Sequence, residues 1–272
     1  MFKFLNSFKP LSIAFAGLLA LCLSSAAVAG SPTLDRVIKS GVLKAAMSGD
    51  QPPFNAVSRD KSVIGFDVDM AQAMAGAMKV KLEIVEMPFG ELQAAVKSGK
   101  VDMVLSGMAI TPERSQAVTF VGPYMMSGKS MLVSAATQAK VKTGADFNKS
   151  GITLVALENS TSETFVQRKL PNANYKAISN YEEGLKMIAA GDADAMVADM
   201  PACKLAVLRN PGAGLAVLPP LSVEPVGIAI ASNDAQFQNL VRNYLNMFEK
   251  TGLTAQLRKK WFENDSWIAA LP

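Results

Sequence analysis

Strand-like and helix-like stretches alternate along this chain, and the alternation runs through twice. That constrains the fold more than any single motif. Val42–Met47 is short and apolar, of strand type. It ends in Ser48-Gly49-Asp50-Gln51-Pro52-Pro53-Phe54, a rigid turn that its prolines keep from helix. After a break at Gly65, Val68, Met70, Ala71, Met74, Ala75 and Met78 recur at helical spacing. Lys81–Glu86 alternates like a strand. Phe89–Lys97 reads as helix with Leu92 and Val96 inward, and Gly99 stops it. Met103–Leu105 is again a strand. Such β-α-β-α-β order predicts a mostly parallel sheet covered by helices, with ligands outside the carboxyl ends of its strands.

The second run repeats the plan. Ile152–Leu157 is a strand, Ser160-Thr161-Ser162-Glu163 opens a helix with capping-box spacing, and Tyr175–Ile178 is a strand. Tyr181–Ala190 is a helix, and the strand Ala193–Ala198 ends in Asp199 before a helix over Pro201–Leu208. Between the runs, Met125–Gly128 reads as loop, Lys129–Val133 as strand and Ser134–Gly144 as a polar surface connection. Leu215–Leu218 and Val226–Ala231 are further strands, the second returning to the first unit, and helices at Asp234–Lys250 and Leu253–Phe262 follow. The expectation is an α/β protein of two lobes, residues 30–127 with 226–272 and residues 128–225, with a ligand cleft between them.

Arg114 is the residue most at odds with its local setting. In Gly99–Tyr124, Thr111 is a good N-cap, Pro112 a good first helical residue, and Glu113 suits the helix dipole. Arg114 opposes that dipole, at a cost of ~0.3–1 kcal/mol. Either an anionic ligand sits beside it or it pairs with a carboxylate such as Glu113. In the second lobe, Ser160 and Thr161 stand at a helix start, where free N–H groups favour an anion. Asp199 stands at a strand end, as an ammonium acceptor or as an N-cap. A cation and a helix start with a carboxylate nearby suit a zwitterion such as an α-amino acid. Arginine would grip its carboxylate in a bidentate fork.

Composition removes several alternatives. The chain has no histidine, which excludes Ser-His-Asp and Cys-His catalysis and most zinc sites. Nothing in the pattern asks for a cofactor or metal. Lys3 and Lys9, the 13-residue apolar run Leu11–Leu23 and Ala27-Val28-Ala29 read as a signal peptide over 1–29. Its removal takes Cys22 and leaves Cys203, read as a small core residue, so no intramolecular disulfide forms. The net charge of +4 becomes +2, too weak a bias to argue for nucleic acid or a membrane surface.

The chain resembles the periplasmic amino-acid-binding proteins of bacterial ABC importers, the polar-amino-acid class of solute-binding proteins with the two-lobed type II fold. The resemblance covers nearly all of 35–265. It is carried by GFDVDM at 65–70, SGMAITPERSQAVTFVGPY at 106–124, ENSTSETF at 158–165 and DADAMVADMPA at 192–202. It implies that Arg114 holds the ligand carboxylate with backbone N–H groups of Ala109 and Thr161. Asp199 and the Gly107 carbonyl would take the ammonium, and Phe89 would pack on the ligand. It implies a monomer that closes about a hinge near Ser127–Ser130 and Val223–Gly227 and delivers its ligand to an inner-membrane permease.

Three departures stand out. Ala109 replaces the hydroxyl usual in the family, Gln51 replaces an aromatic, and Ser48 stands where some binders of basic amino acids have Asp. Ala109 and Gln51 keep a simple carboxylate open as ligand. Glu224 reads as a solvated edge residue rather than a pocket carboxylate. Met103, Met108, Met125 and Met126 read as core filler, with Met108 a candidate pocket residue. Some proteins of this fold are similar to cyclohexadienyl dehydratases, which act on arogenate or prephenate with a glutamate three residues past the second-lobe Asp. Here that position is Ala202.

Overall fold

The computed structural model describes residues 30–141 and 143–272, so the expected signal segment 1–29 lies outside the described residues. Helix α1 (Pro32–Ser40), capped by Ser31, leads into β1 (Val42–Met47). The turn expected over 48–54 is kept at residues 52–54, but Asp50–Gln51 within it is β2, which joins β3 (Asn55–Val57) and β4 (Val63–Ile64) in a small antiparallel sheet. Then come α2 (Phe66–Met78), β5 (Lys81–Glu86), a 3-10 turn at Phe89–Glu91, α3 (Leu92–Lys97) and β6 (Met103–Val104). The short α4 (Pro112–Ser115) precedes β7 (Thr119–Ser127) and β8 (Lys129–Ser134).

The second lobe continues with α5 (Ala135–Lys140), β9 (Thr153–Leu157), α6 (Thr161–Lys169), β10 (Asn174–Ile178), α7 (Tyr181–Ala190), β11 (Ala195–Asp199), α8 (Met200–Arg209) and β12 (Leu215–Val217). The chain returns through β13 (Glu224–Ile230) to α9 (Ala235–Lys250) and α10 (Leu253–Arg258).

The two large sheets have the same plan, β5-β1-β6-β13-β7 and β10-β9-β11-β8-β12. The two-lobed α/β fold is as expected, but the sheets are mixed rather than mostly parallel. The crossover strands enter antiparallel: β13 beside β6 and β7, and β8 beside β11 and β12. Two local readings are also corrected. Residues 125–127 are the end of β7, held by pairing with Glu224–Val226, which also starts β13 two residues before the expected Val226. Residues 135–140 form a helix because Ser134 accepts a hydrogen bond from Thr137 N and so caps it.

The first lobe's core explains GFDVDM. Phe66 stacks on Tyr124 at 5.8 Å and meets Phe262 edge-on at 5.6 Å. Gly65 has φ 149°, and a Cβ there would strike the Phe54 backbone. Asp67 is fully buried. It accepts hydrogen bonds from Tyr124 Oη at 2.7 Å and from Gly107 N at 2.8 Å, which pins the loop after β6.

Both lobes also meet the C-terminal segment. Leu271, buried, packs with Ala56 of the first lobe and Leu205 of the second. Arg59 donates to the carbonyls of Ala270 and Leu271, and Arg209 to that of Pro272. Leu271→Ala should cost about 2 kcal/mol in urea denaturation, the low end for a buried leucine, because the cluster is small. A change below about 0.5 kcal/mol would show that the seam adds nothing to stability.

Candidate functional site

The loop between β6 and α4 carries Arg114 into the seam between the lobes. Thr111 accepts from Arg114 N, as its N-cap role predicts. The side chain turns inward and is 8% exposed. Nη1 donates to the Ala109 carbonyl and Nη2 to the Asn159 carbonyl of the opposite lobe, each at 3.0 Å. The guanidinium lies 5.5 Å from the centroid of the Phe89 ring. It does not pair with Glu113, which faces solvent and Arg168 at 3.5 Å. A guanidinium has five N–H donors, and two protein carbonyls do not exhaust them. Burial draws the Arg114 pKa down, while Asp199, Glu224 and Glu113 oppose that. The group stays charged.

Arg114, Gly107, Ala109, Phe89 and Gln51 of the first lobe face Ser160, Thr161, Tyr181 and Asp199 of the second around one small cavity. Its volume is about 10 Å³, the space of a single water molecule. A larger solute therefore enters only when the lobes part. Met108 does not line this cavity. It is buried in the apolar core and reaches the wider groove at the mouth, about 560 Å³, beside Lys97 and Arg168.

The capping alternatives separate here. Ser160 Oγ accepts from Ser162 N and Glu163 N at 3.1 Å, so Ser160 is the cap of α6. These bonds do not use the Thr161 N–H. Asp199 stands at the N-cap of α8, yet its side chain makes no capping hydrogen bond. Its carboxylate lies at the cavity. Burial pushes its pKa up to about 6, with Lys129 and Arg114 pulling down and Glu224 pushing up. Gln51 accepts from Tyr181 Oη at 3.3 Å, a bond between the lobes at the cavity wall.

Glu224 is corrected. It is not a solvated edge residue. It lines the cavity, accepts from Thr161 Oγ1 at 2.8 Å and from Ser222 Oγ at 3.0 Å, and pairs with Lys129 Nζ. Burial alone would raise its pKa, but Lys129 and these hydrogen bonds outweigh that and hold the carboxyl below its usual value. Sequence reading missed Lys129, Ser127 and Tyr181. Lys129 is completely buried, but as the first residue of a strand-like run nothing local marks it. Its partners Glu224 and Thr161 lie far off in the chain, and only the antiparallel β8–β11 register sets it opposite Asp199.

Among known proteins, residues 43–264 match the family model of bacterial extracellular solute-binding proteins, family 3. The chain is 30% identical over 262 residues to a cyclohexadienyl dehydratase of Pseudomonas aeruginosa, covering 95% of this chain and 96% of that protein. It is 28% identical over 265 residues to an L-arginine-binding protein of the same species, covering 93% and 97%. The crystal structure of an ancestral amino-acid-binding protein, a precursor of cyclohexadienyl dehydratase, superposes with a TM-score of 0.79 at 34% identity, covering 85% and 99%. The matched region takes in both sheets and every residue around the cavity, and on that ground the chain belongs to the bacterial extracellular solute-binding proteins of family 3.

Proposed function

We propose that this protein captures an amino acid, or a close analogue, in the periplasm and delivers it to an ABC importer as a monomer. The observation that carries the reading is the pairing of Arg114 with Asp199 across a closable seam: a guanidinium with spare donors on one side, a carboxylate with no capping duty on the other. An α-carboxylate on Arg114, helped by the Ala109 and Thr161 N–H groups, leaves the ammonium toward Asp199 and the Gly107 carbonyl. Phe89 would cover the ligand. The lobes divide at 127/128 and 225/226, with hinges at the turn from β7 to β8 and in the first residues of β13, which pair with the end of β7. Among the described residues no helix is long and apolar enough to cross a membrane.

Asp199→Ala tests this against a simple carboxylate ligand. Calorimetry should show amino-acid binding weakened by about 10- to 10²-fold, the scale of a charged hydrogen bond of ~1.5–3 kcal/mol. Affinity in the native protein should also fall as the pH drops through about 6, where Asp199 takes up its proton. Unchanged binding in the variant would assign the site to a ligand without an ammonium.

The dehydratase relative favours a second reading, an eliminase acting in the same cleft. The position expected to carry its glutamate is Ala202, buried beside Cys203. Of the two carboxylates that line the small cavity, Glu224 is held ionised and Asp199 is poised to carry a proton. Turnover of prephenate or arogenate by the purified protein would establish that reading and overturn the first.

A further inference from the structure

One end of the cavity holds groups that the carboxylate–ammonium scheme leaves unused. Glu224 lies on the wall. Behind it, Lys129 pairs with Glu224 and donates to the Thr161 hydroxyl, with no exposure to solvent. Lys129 also stands opposite Asp199 in the β8–β11 register, and its charge acts on that carboxyl. Among the residues that line the cavity, with Lys129 behind them, the charges balance before any ligand arrives: Arg114 and Lys129 against Asp199 and Glu224.

A second observation points to a ligand at the same end. Ser127 stands opposite Glu224 in the β7–β13 register and lines the cavity. Its hydroxyl oxygen is buried and has no hydrogen-bond partner among the described residues. Native proteins rarely leave such a group unmet.

A closed, charge-balanced cavity penalises any ligand with net charge, because water no longer screens the excess. A cationic side chain finds no free carboxylate at this end either, since Glu224 already holds an internal ammonium. We propose that Lys129, acting through Glu224, sets the charge class of the ligand, so that the cleft takes amino acids with uncharged side chains and rejects arginine and lysine. The Ser127 hydroxyl then meets a polar uncharged atom of the ligand. This inference rests on the amino-acid reading above.

Titration calorimetry of the purified protein with serine, glutamine, glutamate, arginine and lysine tests it. The best neutral amino acid should bind at least 30-fold more tightly than arginine or lysine. In Lys129→Met the ratio should move toward arginine and lysine by at least tenfold, as the ligand's cation replaces the missing ammonium. In Glu224→Gln it should move the opposite way, toward glutamate. A lysine with a merely structural role would lower all affinities together and leave the ratios unchanged, and that result would overturn the proposal. So would a native preference for arginine or lysine, which needs no variant to fold. Binding of none of the amino acids would overturn the amino-acid reading itself, an outcome distinct from binding with the wrong charge preference.

Discussion

Arg114→Met should weaken amino-acid binding by about 10² to 10⁴-fold. Methionine keeps an apolar stem against Phe89 but has no donors. A bidentate carboxylate contact comprises two charged hydrogen bonds of ~1.5–3 kcal/mol each, and every 1.4 kcal/mol is tenfold in affinity. The side chain is buried, so solvent does not dilute the effect. The substitution also removes the bond from Nη2 to the Asn159 carbonyl, which ties the lobes together. Arg114→Lys should lie between the native protein and Arg114→Met, because a lysine keeps the charge and loses the fork. The measurement is calorimetry with whichever amino acid gives the largest thermal shift in the native protein. A loss below tenfold in Arg114→Met would mean that the ligand carboxylate is held elsewhere.

Asp67→Asn should remove much of the protein's loss of stability between acid and neutral pH. Burial pushes the Asp67 carboxyl up to about 7 from an ordinary 3.8, against the lowering effect of bonds from Tyr124 and Gly107. A raised carboxyl pKa means that the folded state holds the proton more tightly than the unfolded state. Stability is then greatest near and below 3.8, declines as the pH rises through about 7, and declines no further above it. The span corresponds to at most roughly 4 kcal/mol. Asparagine is neutral throughout and has nearly the same shape, so its oxygen can still accept from Gly107 N. Asp199, raised to about 6, adds a smaller change of the same sign that Asp67→Asn leaves in place. Chemical denaturation of both proteins at pH 5 and pH 8 gives the comparison. Equal pH slopes would mean that Asp67 is ionised in the fold without penalty.

The site was partly legible in the chain because some of its residues break local rules. Arg114 opposes a helix dipole, and Thr111, Pro112 and Ser160 carry capping chemistry that acts within three residues. Gly65 shows in the chain only as a break, and its close approach to the Phe54 backbone emerges from the structure. Asp199 was ambiguous, since an aspartate before a proline-led helix suits capping equally well. The structure separates the two roles by leaving its carboxylate out of the cap. Glu224 was misread because its neighbours Val223 and Pro225 resemble an exposed strand edge, and its partners lie far off in the chain. Thr161 is 63 residues away from it, and Lys129 and Thr161 are 32 apart.

The sequence by itself determined the α/β alternation of the two lobes and the order of most of their elements. Those follow from hydrophobic period, caps and turns, which act over a few residues. It also determined that a cation and a carboxylate stand at strand ends where the lobes face each other. Only the tertiary structure decided that Lys129 is buried beside Glu224 and opposite Asp199, and that the cavity is charge-balanced. Strand register and lobe closure bring those groups together, and both depend on contacts between segments that local pattern does not link.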